Sequence, residues 1–148
     1  MRRLNLGAGD RIVAGAVNHD LRKHREEIDL VHDLNERPWP LPDNHFDLIE
    51  AVSVLEHLKL TLVESLDECW RVTAPGGVLE IKYPLYGSPV IHDDPTHRWY
   101  WSERVLEFFD PDTKYGADKG FYTERKWRIV SLETISDRSV WAKLQVRK

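Results

Sequence analysis

The chain contains a single cysteine, Cys69, among 148 residues. One thiol excludes an internal disulfide, a disulfide framework and a cysteine-built zinc cluster. No apolar run approaches the roughly 20 residues that span a bilayer. The first residues, Met1-Arg2-Arg3-Leu4, pass straight into apolar-polar alternation without the apolar stretch of a signal peptide. The expectation is a cytoplasmic protein with no membrane contact. Neither sign of charge dominates: 21 basic against 25 acidic residues give −4, unlike a nucleic-acid coat protein. Nucleic acid is therefore not the expected partner. A Walker-type phosphate loop, a serine or cysteine nucleophile arrangement, an internal repeat and a domain linker are all missing. What remains, 41% hydrophobic and 31% charged, describes a soluble globular chain with a real core. Its length suits one domain, residues 1–148.

Short strand-like runs alternate with turn-rich or helical pieces, which predicts an α/β sheet. Leu4-Asn5-Leu6, Ala16 to Asp20, Ile28 to Asp33 and Phe46 to Val52 read as the first four strands. A helix is predicted from Thr61, whose hydroxyl can cap free amides while Glu64 reciprocates. Leu62, Leu66, Cys69 and Trp70 fall on one face of it, and Ala74-Pro75-Gly76-Gly77 is expected to stop it. Val78 to Tyr83 reads as a fifth strand. An irregular stretch from Pro84 to Trp101 leads to a helix from Ser102 to Phe109. Two antiparallel strands, Lys126 to Ile135 and Val140 to Arg147, close the chain.

The chemistry is expected at the ends of these strands. Gly7-Ala8-Gly9 makes a sharp turn after the first strand, where glycine lets backbone amides approach a ligand. The nicotinamide fingerprint G-x-G-x-x-G fails, because Ile12 takes the third glycine's place and Asp20 comes too early for an intervening helix. Instead one acid, Asp20, follows the second strand and another, Asp33, follows the third. A nucleoside across these strand ends would set its ribose hydroxyls on Asp20 and its base edge near Asp33.

Six segments in this order carry a family resemblance: Leu4-Asn5-Leu6-Gly7-Ala8-Gly9, Val31-His32-Asp33-Leu34-Asn35, Pro42 to Asp47, Val54-Leu55-Glu56-His57-Leu58, Arg71 to Gly77, and Asp94-Pro95-Thr96-His97. Together they resemble the class I S-adenosylmethionine-dependent methyltransferases, in a small bacterial and phage-type branch. The resemblance covers Leu4 to about Phe109. It implies a Rossmann-like three-layer sandwich reduced in helices, with a mostly parallel seven-stranded sheet and an antiparallel last strand. It also implies S-adenosyl-L-methionine as cofactor. By position, Gly7, Ala8 and Gly9 would line the methionine part, Asn5 would also lie at the cofactor, and Asp20 would hold the ribose. Asp33 and Leu34 would frame the adenine, and Ser53 and His57 would lie near the end of the fourth strand. Asn5 stands where the family has an acid, and Arg11 where it has a third glycine. Too few residues separate Gly9 from Ala16 for the usual helix, and Arg11 is a candidate for the positive charge that helix would have supplied.

An acceptor is expected near His92 to Trp101, after the fifth strand. His97 and His57 are the candidate proton acceptors, with Trp99, Tyr100 or Tyr86 as a wall. His92, Asp94 and His97 offer a metal-hydrolase alternative, although no metal is the expectation. Arg22-Lys23-His24-Arg25 reads as a solvated helical face. Trp39, Trp99 and Trp101, taken as exposed, admit a homodimer interface. The sequence thus predicts methyl transfer to an unidentified acceptor, a small molecule or a sugar or lipid precursor. The alternative is a catalytically reduced, methyltransferase-like module that binds cofactor or partner.

Overall fold

In the computed structural model, which describes residues 1–148, seven strands form one sheet. They are β1 (Arg3–Leu6), β2 (Ala16–Asp20), β3 (Leu30–Val31), β4 (Phe46–Val52), β5 (Thr73–Pro84), β6 (Lys126–Ile135) and β7 (Ser139–Arg147). Their order is β3-β2-β1-β4-β5-β7-β6, with β7 antiparallel to both its neighbours and the other pairings parallel. The expected Rossmann-like sheet is present. Strand register sorts the side chains by chemistry. Leu4, Ile49, Leu79, Leu144 and Ile129 stand side by side on one face, and Leu6, Ala51, Ile81, Ala142 and Leu132 form the next row.

Helix α1 (Leu62–Val72) packs on that face through Leu62, Leu66, Cys69 and Val72. Each such side chain stabilises the fold by about 1.5–3 kcal/mol of burial before entropy is counted. The predicted capping box is formed. Glu64 donates its amide to the Thr61 hydroxyl at 3.2 Å, and the Thr61 amide donates to the Glu64 carboxylate at 2.9 Å. The expected helix after Ser102 is a 3-10 segment, Glu103–Phe109, which buries Leu106 and Phe109 at its i, i+3 spacing. Two short helices, α2 (Val90–Asp93) and α3 (Lys114–Lys119), have no strong periodic signature and were not expected.

No helix interrupts the β1–β2, β2–β3 or β3–β4 connections. The reduction in helices is felt on the opposite face, where the row Asn18, Asn5, Glu50, Glu80 and Lys143 is polar. That row is satisfied by its own members together with Arg3 and Arg11. Asn5 donates to Asn18 Oδ1 at 3.0 Å and to the Arg11 carbonyl at 2.7 Å, and Lys143 meets Glu80 at 2.8 Å. Glu50, 4% exposed, receives both Arg3 and Arg11. Burial alone would raise the Glu50 carboxyl, but hydrogen bonds from Arg11 and Arg3 outweigh it and hold it below the ordinary range. Arg11 is thus tied to the sheet face and does not replace a helix dipole at the glycine turn.

Several local expectations are corrected. Pro75, Gly76 and Gly77 do not end α1, because the helix stops at Val72 and β5 begins at Thr73. They form an irregularity inside β5, where Phe46 pairs with Thr73 but Leu48 pairs with Val78. Arg22 to Arg25 is a loop and not a helical face: Arg25 pairs with Asp10 at 2.6 Å, and His24 reaches the Gly9 carbonyl at 2.9 Å. The third strand keeps only Leu30–Val31, since Asp29 diverts its carboxylate to the Asn18 amide at 2.8 Å. Trp39 and Trp101 are buried at 2% and 7% exposure, and Trp99 is half-buried with its indole N–H on the Leu58 carbonyl. The aromatic surface invoked for a homodimer is therefore part of the fold's own packing.

Candidate active site

Every strand-to-loop turn that the sequence marks for chemistry emerges at the carboxyl edge of the sheet. The glycine turn is shaped from both sides. Gly7 and Gly9 have φ of 58° and 52°, the left-handed region that favours glycine. A Cβ on Gly7 would sit 2.2 Å from Val54 Cγ2, whereas a Cβ on Gly9 would meet nothing within 4 Å. Gly7 lets β4's exit pack against the turn, and Gly9 leaves open space above it. Asp20 ties the turn to β2, accepting from the Gly9 amide at 2.8 Å and the Leu21 amide at 2.7 Å.

His19 is a prop that sequence reasoning missed. Its Nδ1 accepts from the Gly7 amide at 3.2 Å, and its Nε2 meets the His32 carbonyl at 2.9 Å. A carbonyl only accepts, so these partners fix the neutral tautomer with the proton on Nε2. Burial, the leading cause, pushes the His19 pKa below the ordinary histidine value. The hint was present as a histidine inside an otherwise strand-like run, but nothing local distinguished it from a surface position.

A cleft of about 270 Å³ brings together Gly7, Asp20, Asp33, Leu34, Ser53 and His57, with His19 and Asn35 among its other walls. Leu34 is its buried apolar wall, and Asp33 closes a turn by accepting from the Asn35 amide at 2.9 Å. Ser53, at φ 55°, turns the chain sharply out of β4. Asn5, Ala8 and Gly9 do not line this cleft. Asn5 is committed to the polar sheet face, and Ala8 is buried with its amide on the His19 carbonyl.

A second cleft, about 480 Å³, shares Ser53 and His57 with the first and adds Glu56, Lys82, His97 and Arg138. Its His97 is delivered over 40 residues of sequence by backbone pairing. The amides of Arg98 and Trp99 donate to the Glu56 carbonyl at 2.9 and 3.2 Å, which folds the 94–99 loop over Glu56. The rings of His57 and His97 stand 4.7 Å apart. Glu56 is fully buried, and neither of its carboxylate oxygens has a hydrogen-bond partner. Burial pushes its pKa up to about 7. Burial, with His97 nearby, lowers that of His57.

Other expectations for this region are corrected. His92 is exposed and lies near Tyr100, so His92, Asp94 and His97 do not form the metal-hydrolase set. The group drawn together is Glu56, His57 and His97, with ligand atoms all within 4.8 Å of one another. Neither Tyr86, Trp99 nor Tyr100 walls the second cleft. Three of the tail's cations are committed internally: Lys143 to Glu80, Arg147 to Asp112, and Lys148 to the Thr73 carbonyl and over the Trp70 ring. A more apolar groove between α1 and the 103–109 segment lies away from the strand ends. Its one cation, Arg104, is paired with Glu107.

Residues 10–81 match the family model of the methyltransferase domain. No curated protein matches the chain. A SAM-dependent methyltransferase from Archaeoglobus fulgidus is similar at TM-score 0.65 and 16% identity, over 97% of this chain and 85% of that one. A chain from the complex of the Haloferax volcanii Trm112 methyltransferase activator with a methyltransferase gives 0.69 at 12%, over 99% and 83%. The [4+2]-cyclase SpnF gives 0.67 at 14%, over 97% and 73%. Identities this low speak for the fold alone. The family match over residues 10–81 and the likeness in fold to solved SAM-dependent methyltransferases both point to a methyltransferase domain on a Rossmann-like sheet.

Proposed function

We propose that this protein binds S-adenosylmethionine in the cleft at the ends of β1, β2 and β4 and transfers its methyl group to an acceptor in the adjoining cleft. One observation carries the reading: the two clefts meet at Ser53 and His57, so a cofactor site and an acceptor site share a wall. The first cleft fits the cofactor by chemistry. Asp20 and Asp33 offer carboxylates for hydroxyl and amino donors, and Leu34 offers an apolar face for a base.

When bound, the cofactor supplies a methyl group on an electrophilic sulfonium sulfur. The chain's part is alignment and management of the acceptor's proton. His57 and His97 are the candidate groups, because both face the second cleft. Lys82 and Arg138 on that cleft's walls have no carboxylate partner, which favours an acceptor carrying an anionic group. A second reading, a cofactor-holding module without turnover, is favoured by the helix-free β1–β2 and β2–β3 connections, which leave the first cleft open. A pair of chains remains a proposal. Light scattering across concentration tests it, and a mass of one chain throughout rejects it.

Calorimetric titration of S-adenosylmethionine and S-adenosylhomocysteine, with an Asp20→Ala variant alongside, tests the main reading. Micromolar binding that the folded variant loses is the expected result. Absence of binding to either ligand overturns it. Binding without turnover on any anionic acceptor supports the second reading.

A further inference from the structure

The cluster at the acceptor end has an electronic pattern that a proton-transfer pair would not need. Thr96 donates its hydroxyl proton to Asp94 Oδ1 at 2.6 Å, so its oxygen is free to accept from His57 Nδ1 at 2.8 Å. The Ile91 carbonyl accepts from His97 Nδ1 at 2.8 Å. Both hydrogen-bond networks place the imidazole proton on Nδ1 and leave a bare lone pair on Nε2. Those two lone pairs lie beside a buried carboxylate that no donor satisfies. His57 Nε2 stands 3.9 Å from Glu56 Oε1, too far for a hydrogen bond. Once the Glu56 carboxyl is ionised, three acceptors face one another with no donor between them, and they are mutually repulsive. A cation between them removes the repulsion and provides the missing partner.

We propose that Glu56, His57 and His97 hold one divalent first-row transition-metal ion at the wall between the two clefts. Two imidazole nitrogens and one carboxylate select such an ion over magnesium or calcium, which prefer all-oxygen shells. The arrangement follows a general rule of metal sites, in which each ligating histidine donates its other ring N–H to a carbonyl or, here through Thr96, to a carboxylate. Donor atoms on a shared ion stand about 3–3.5 Å apart. Side-chain rotation of roughly an ångström therefore closes the present 4.8 Å spread. Asp94 Oδ2, 4.0 Å from His97 Nε2, is a further oxygen at the outer edge. The remaining coordination positions face the second cleft, where an acceptor's oxygen or nitrogen would bind. The site stands on its own geometry, and only its role toward an acceptor rests on the methyl-transfer reading.

The test is a titration of Co²⁺ and Zn²⁺ into the untagged, chelator-treated full chain, read by calorimetry and by the visible absorption of bound Co²⁺. One ion per chain is expected, with affinity falling at least tenfold in His97→Ala and in Glu56→Gln. His92→Ala, a histidine outside the cluster, should bind as the parent does. Urea unfolding of each variant separates ligand loss from misfolding, and Glu56→Gln preserves shape if His97→Ala proves unstable. Absence of stoichiometric binding, or binding that both folded variants retain, overturns the proposal. The same samples titrated with S-adenosylmethionine keep the two readings apart. Cofactor binding without metal sinks the metal site alone, and metal binding without cofactor sinks methyl transfer alone.

Discussion

Replacing Glu56 by glutamine should stabilise the chelated protein above neutral pH and do so progressively less toward pH 4. The Glu56 carboxyl is buried without partners, and its pKa in the fold is raised from 4.5 to about 7. Below about pH 4.5 the group is protonated in folded and unfolded chains alike, and it contributes no pH dependence. As pH rises toward 7, the unfolded chain ionises while the fold retains the proton, so stability falls. The slope approaches about 1.4 kcal/mol per pH unit, and the whole window amounts to roughly 3 kcal/mol. Above 7 the loss is complete and the curve flattens. Glutamine keeps the shape and cannot ionise, and its own unpaired amide costs the same at every pH. Urea denaturation of parent and Glu56→Gln from pH 4 to 8, with chelator present, should give a difference that grows by about 3 kcal/mol between pH 4.5 and 7. A difference independent of pH would refute the argument, because it would mean that the carboxyl ionises as readily inside the fold as outside.

Three further outcomes follow from the same structure. Gly7→Ala should lose about 1–3 kcal/mol more stability than Gly9→Ala, since only the former adds overpacking against Val54 to the left-handed backbone strain. Equal losses by chemical denaturation would contradict this. His19 must be neutral to accept from the Gly7 amide, so its contribution is present above the ordinary histidine range and is lost as pH falls through its lowered folded value. His19→Gln should flatten the acid side of the stability profile between pH 7 and 5, measured by thermal unfolding. Thr61→Ala removes the acceptor for the Glu64 amide and should cost about 1 kcal/mol in urea unfolding.

Local rules reached far into this fold. The capping box at Thr61 and Glu64, the strand from Phe46 to Val52 and the closing pair β6 and β7 are all written in short windows of sequence. The failures share a cause, which is that tertiary context decided them. Pro75-Gly76-Gly77 stops a helix or bulges a strand according to whether β4 runs alongside. Trp39 sits in a proline-rich turn that reads as surface. It is buried because its amide bonds to Glu68, whose partner Arg71 holds the same turn's carbonyls. In the candidate site, Asp20 and Asp33 were legible as strand-end positions, and Leu34 and Ser53 entered through the family resemblance. The partnership of Glu56 with His97 was not legible. It is made by main-chain amides of Arg98 and Trp99 closing on the Glu56 carbonyl, and backbone hydrogen bonds leave no residue-type signature.

The sheet is unevenly fastened. At one end β7 is clasped on both sides, by β5 from Val78 to Pro84 and by β6 from Lys126 to Ile135. At the other end β3 pairs with β2 in register only at His19–Leu30 and Asp20–Val31, with flanking bonds from Asp29 and His32. Amide hydrogen exchange should therefore sort the molecule into a slow half and a fast half, with the fast half carrying Asp20 and Asp33. A nucleoside bridging those two acids would clamp together the most lightly paired strands of the sheet. Occupancy would slow exchange across the first 35 residues, well beyond the atoms it touches. Part of any ligand's binding free energy would go into ordering this edge, so sequence changes that stiffen residues 21–33 would tighten binding without making a new contact.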